Sequence, residues 1–89
     1  MNLENALNKA SEILFNNNIK TSLLDSEILM SKAINKDRRF IISNLRKNID
    51  KNSLYYFDQL VSERASGKPI SYIIGIKEFC KWFKSFYKI

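Results

Sequence analysis

Apolar residues recur every three or four positions along most of this chain, the period of helices that bury one face. Leu3, Leu7, Ala10 and Leu14 form the first such stripe, with Ala6 and Ile13 beside it. The spacing predicts an amphipathic helix of about four turns. Asn2 suits its N-cap, and Asn16-Asn17-Asn18 suits its end, because asparagine tolerates the left-handed conformation of a C-cap. Ile19 is expected to tuck back under the core. Ser22-Leu23-Leu24-Asp25 resembles a capping box with aspartate in place of glutamate. It predicts a second helix running to about Ile34, with Leu24, Ile28, Leu29 and Ala33 facing inward.

Asn35-Lys36 breaks that pattern. Asp37 is expected to cap a short third helix carrying Phe40, Ile41 and Leu45; the run Phe40-Ile41-Ile42 is too short, and has no apolar partner, to be a strand. Asp50 or Asn52 opens a fourth helix, on which Leu54, Phe57, Val61 and Ala65 share a stripe with Leu60 alongside. Both glycines and the sole proline then fall between Gly67 and Gly75. Gly67 sits where a C-terminal glycine belongs, Pro69 stops that helix and starts a short fifth one through Tyr72 to Ile74, and Gly75 closes it. The predicted fold is all-α: a compact, monomeric bundle of about five helices with short connections and a C-terminal tail left unassigned. Leu7, Ile28, Phe57, Leu60 and Val61 are expected to be nearly fully buried. Tyr72 is expected to pack its ring between the last two helices and the segment that follows.

Composition narrows the chemistry. Eighty-nine residues with 45% apolar content make one modest core. With no histidine and a lone cysteine, Cys80, histidine-based catalysis, most zinc sites and an internal disulfide are excluded. An unpaired cysteine suits a reducing cytoplasm. No signal peptide is apparent, and no window approaches the ~20 apolar residues needed to span a bilayer. The net charge of +6 allows two readings: nucleic-acid binding, or a lysine-rich solvated surface. The segment Phe79 to Ile89 alternates aromatic residues (Phe79, Trp82, Phe83, Phe86, Tyr87) with lysines at helical spacing. As a helix it would present a basic amphipathic face; otherwise it is a last segment packed on the bundle or a frayed end.

The string Arg64-x-x-Gly67-x-Pro69-x-x-Tyr72-Ile73-x-Gly75-x-x-Glu78-Phe79 resembles the end of the N-terminal domain of HemK/PrmC-type methyltransferases. Leu24-Asp25-Ser26-Glu27-Ile28-Leu29 resembles the family's Leu-Asp-Ala-Glu-Leu-Leu segment, and Phe57-x-x-Leu60-Val61-x-x-Arg64 its penultimate helix. The resemblance runs from Leu3 to Phe79. It implies an S-adenosylmethionine-dependent parent enzyme that methylates the glutamine in the Gly-Gly-Gln motif of class I peptide chain release factors. It further implies that residues 1–79 are a substrate-docking domain, and that 80–89 are a tail or the start of a linker to a C-terminal methyltransferase domain. Arg64, Gly67, Pro69, Tyr72, Gly75, Glu78 and Phe79 would form the interdomain junction.

The departures bound what this chain can do alone. The family's Asn-Pro-Pro-Tyr motif and Gly-x-Gly cofactor loop have no counterpart here, so the chain carries no cofactor site. After Glu78-Phe79 it lacks the Gly- or Pro-containing hairpin that leads into the catalytic domain. Either the sequence was cut at a domain boundary or the gene is truncated. The remaining polar residues suggest no catalytic group. Asp25 and Glu27 read as helix-start and solvent-exposed carboxylates on different faces. Arg38 and Arg39 follow a cap and read as exposed bases or phosphate contacts. Tyr55-Tyr56-Phe57 places Phe57 in the core and leaves one tyrosine well exposed, and Cys80 beside Lys81 reads as an inert thiol. The function expected is therefore a cytoplasmic, non-catalytic domain that binds and positions a release factor. The alternatives are a basic RNA- or ribosome-binding module and a fragment without function.

Overall fold

The computed structural model describes residues 1–75. These form five helices and no strand: α1 (Leu3–Asn16), α2 (Ser22–Ile34), α3 (Arg38–Ser43), α4 (Lys51–Ala65) and α5 (Ile70–Ile74). The caps explain most of the boundaries. Asn2, Asp37 and Asp50 each accept a backbone N–H three residues on, from Asn5 at 2.8 Å, Phe40 at 2.9 Å and Ser53 at 3.0 Å. Each thus satisfies one of the donors a helix start leaves open. Helix α1 ends in a Schellman turn: Ile19 N–H reaches Leu14 O and Asn18 N–H reaches Phe15 O, both at 3.0 Å, with Asn18 at φ +66°. That turn places Ile19 against the core.

Two helix starts differ from expectation. The α2 cap position is Thr21, whose side chain makes no capping bond, so Ser22 and Asp25 do not form a capping box. Ser22 is instead the first helical residue; its carbonyl accepts from Ser26 Oγ at 2.7 Å, and its hydroxyl meets Ser11 Oγ of α1 at 3.2 Å. Helix α5 starts one residue later than expected, at Ile70, with Pro69 as its cap residue.

Helix α2 is the axis of the bundle and packs against all four others. The core gathers Leu3, Leu7 and Leu14 from α1 with Ile28, Leu29 and Met30 from α2. Ile41, Phe57, Leu60, Val61 and Ile74 complete it from the remaining helices. All five residues expected to be deeply buried are so. Leu24 and Ala33 are half-buried, whereas Met30, off the expected stripe, is fully buried. Ile13 departs in the other direction: it is 39% exposed and lines an apolar hollow of about 330 Å³ between α1 and α4. The loop after α3 is fastened to the head of α1. Leu3 N–H donates to Lys47 O, Glu4 N–H to Leu45 O and Ile49 N–H to Met1 O, at 2.9–3.0 Å. Among the described residues no helix is long and apolar enough to cross a membrane.

Candidate functional site

The end of α4 and the short α5 meet where the sequence concentrates its helix breakers. Gly67 N–H donates to Arg64 O at 3.0 Å and Lys68 N–H to Glu63 O at 3.4 Å. This is a Schellman turn, and Gly67 holds its left-handed position at φ +109°. A Cβ there would meet open space, so the demand for glycine comes from backbone conformation alone. Ser66 Oγ donates to Glu63 O at 2.6 Å, and Lys68 Nζ pairs with Glu63 Oε1 at 3.3 Å on the surface. Pro69 follows in an extended conformation, φ −61° and ψ 143°. Its carbonyl accepts from Tyr72 and Ile73 N–H at 3.1 and 3.2 Å, which starts α5. Gly75 ends that helix at φ +92°.

Arg64 joins this turn to the bundle. Its Nε donates to Asp25 Oδ2 at 2.8 Å, and its Nη1 donates to Lys68 O at 2.9 Å. One guanidinium therefore holds the first turn of α2 and the last carbonyl before Pro69, using the fixed fork of donors that lysine lacks. Asp25 is almost fully buried and Arg64 mostly so, with side-chain exposures of 4% and 19%. A buried carboxylate needs such a partner. Asp25 thus stands in the first turn of α2, as expected, but is buried rather than solvent-exposed. Two signals could have revealed the pair. Asp25 lies three and four residues before Ile28 and Leu29, on the buried stripe of α2. Arg64 lies three and four residues after Val61 and Leu60, on the buried stripe of α4.

Of the expected junction residues, Arg64, Gly67 and Pro69 thus shape the turn from α4 into α5, and Gly75 closes α5. Tyr72 does not pack within it: its side chain points away from the core and is 75% exposed, while Ile74 anchors α5 and Ile70 and Ile73 pack beside it. On a five-residue helix the inward positions are already taken by these isoleucines. Glu78, Phe79, Cys80 and the aromatic-lysine tail lie outside the described residues. Elsewhere, Glu27 pairs with Arg38 at 3.1 Å and is not free in solvent. Tyr55 and Tyr56 are both exposed, where one was expected.

The model of the PrmC N-terminal domain matches residues 5–75. The chain belongs to this family. The described part of the PrmC N-terminal domain therefore coincides with the bundle and its exit turn. Similar proteins include a release factor glutamine methyltransferase of Clostridium acetobutylicum, 37% identical over 79 residues, covering 89% of this chain and 28% of that protein. A bifunctional methyltransferase of Rickettsia felis is 36% identical over 77 residues, covering 86% of this chain and 15% of its own length. A release factor glutamine methyltransferase of Mycoplasma mycoides is 35% identical over 75 residues, or 84% of this chain and 25% of that protein. The chain thus spans between 15% and 28% of the length of these relatives. No solved structure matches it.

Proposed function

We propose that this PrmC N-terminal domain binds and positions a class I peptide chain release factor for a protein-(glutamine) methyltransferase, which modifies the glutamine of its Gly-Gly-Gln motif. Residues 1–79 are the docking domain, and 80–89 are a tail or the start of a linker to a C-terminal catalytic domain. That domain supplies the methyl transfer and holds S-adenosylmethionine. The two glycines of this chain, Gly67 and Gly75, both close helix ends. The chain alone is not catalytic, and it works in the cytoplasm.

The observation that carries this reading is the Arg64 clip. By tying Asp25 of α2 to the carbonyl of Lys68, it helps to set the turn at Pro69 and so the direction of α5, the last helix before Gly75. A fixed exit direction fixes the placement of whatever follows relative to whatever the bundle holds. Holding two reactants in productive geometry can lower a barrier by several kcal/mol, on the order of 7 or more in favourable cases. Calorimetric titration of the 89-residue chain tests the assignment. The expected result is stoichiometric binding of a class I release factor and no saturable binding of S-adenosylmethionine. Stoichiometric cofactor binding would overturn the domain assignment, and absence of release-factor binding would remove the docking role.

A further inference from the structure

The positive charge of the described residues is gathered in one segment. Residues 1–75 contain eleven lysines and arginines and eight acids. Five of the bases, Lys36, Arg38, Arg39, Arg46 and Lys47, fall within residues 36–47, where Asp37 is the sole acid. In the rest of 1–75, six bases face seven acids. The domain is therefore nearly neutral apart from α3 and the loop that follows it. Nearby carboxylates offset this segment only in part. Glu27 takes Arg38, and Glu4 lines a surface hollow beside Arg46 and Lys47. Arg39 and Arg46 are exposed and form no ion pair among the described residues.

The backbone beneath these charges is fixed. Asp37 is engaged as the α3 cap, Ile41 is anchored in the core, and the loop from Leu45 to Ile49 is hydrogen-bonded to the head of α1. Little ordering is therefore required when a partner arrives, which favours binding. The surface also carries an exposed aliphatic side chain, Ile42, one turn along α3 from Arg39.

We propose that α3 and its following loop, through Arg39, Arg46 and Ile42, are a docking face for an acidic protein surface, that of the release factor. The proposal rests on the substrate reading above and names the surface that serves it. Arginine is enriched at protein interfaces relative to the rest of the surface, and lysine is depleted. Single-stranded nucleic acid fits less well. The segment's aromatic ring, Phe40, is half-buried and covered by its own cations, with Lys36 Nζ and Lys47 Nζ at 5.2 and 5.5 Å from its centroid. A base stacking on this ring would have to compete with those two ammonium groups.

The test measures binding of the 89-residue chain to a class I release factor at rising salt, for wild type and the double variant Arg39→Glu/Arg46→Glu. A matched control, Lys20→Glu/Lys51→Glu, reverses two exposed charges outside the segment. Wild type is expected to weaken as salt rises, since exposed charges are screened beyond about 8 Å at physiological ionic strength. The Arg39/Arg46 variant should bind about tenfold more weakly at low salt and lose most of the salt dependence. The control should stay within about twofold of wild type. Equal loss in both variants would show a general charge effect and overturn the assignment to this face. Full binding by the Arg39/Arg46 variant would also overturn it while leaving the release-factor reading intact. If wild type binds no release factor, both fall. Tighter binding to a single-stranded RNA oligonucleotide, lost in the same variant, would reassign the face to nucleic acid.

Discussion

Helix α4 begins with contacts that stay within one turn and ends with contacts that reach α2 and the start of α5. At its head, Asp50 accepts from Ser53 and little else is involved. At its tail, a Schellman turn, a left-handed glycine and a guanidinium bonded to both Asp25 of α2 and the nearby Lys68 O act together. The head needs only a short acceptor to stop the helix, so several residue types would serve. The tail must stop the helix and also aim the outgoing chain, and each added constraint narrows the residues that fit. Two ion pairs near this end repeat the contrast. Glu63–Lys68 is open to solvent, and such pairs contribute about 0–1 kcal/mol. Asp25–Arg64 is largely enclosed, so removing one partner strands the other.

The most severe way to break the comparison is to remove what both ends depend on. Phe57→Ala empties a fully buried site in the middle of α4 and should cost about 3–5 kcal/mol. That is a large share of the stability of so small a domain. A denaturant titration with an unshifted midpoint would refute the packing described. Asp25→Ala comes next. It leaves Arg64 without its carboxylate, and because that guanidinium can still reach water, about 2 kcal/mol is expected rather than the full cost of an orphaned buried charge. A loss equal to that of Glu63→Ala would erase the distinction between the two pairs.

Gly67→Val sharpens the comparison further. A Cβ meets nothing there, so only the left-handed backbone is penalised, by at least about 1 kcal/mol. In a full-length relative the equivalent change should lower methyl transfer by more than it lowers stability. Unchanged transfer in a folded variant would leave the turn standing and remove its positioning role. The smallest effect belongs to the head of α4. Hydrogen bonds from Ser53, its side chain first and its backbone N–H second, hold the Asp50 carboxyl below its ordinary value. A carboxyl lowered by folding stabilises the folded state above its unfolded value, about pH 4, and that contribution fades as pH falls through the lowered one. Asp50→Asn keeps a capping side chain, so the melting temperature should change little at neutral pH. Its decline on acidification should be shallower than that of wild type; identical pH profiles would show that the cap is not linked to the titration.

Helix ends proved the most legible part of the chain. Asn2, Asp37, Asp50 and Gly67 act at short range, so a single residue and its near neighbours carry the signal. The misreadings cluster on α2 and at the ends of the bundle. A helix with one buried face shows a clear stripe, but α2 has neighbours on nearly every side. Ser26 and Met30 are therefore buried off the stripe, and Asp25 is buried despite its charge. A charged residue on an apolar stripe looks like a solvated side chain until a partner of opposite sign is sought on another stripe. Tyr72 failed for a different reason: its size suggested an anchor, yet three isoleucines on five residues already fill the inward face of α5.

Asp25 and Arg64 stand 39 positions apart, and that separation has a consequence for the order of events during synthesis. A chain made from its N-terminus completes α2 well before Arg64 exists. The carboxylate must therefore wait for its partner until α4 is nearly complete. Until the pair closes, α4 and α5 are held to α2 by packing alone. The turn into α5 therefore gains its ionic tie to α2 only when the guanidinium finds its partner.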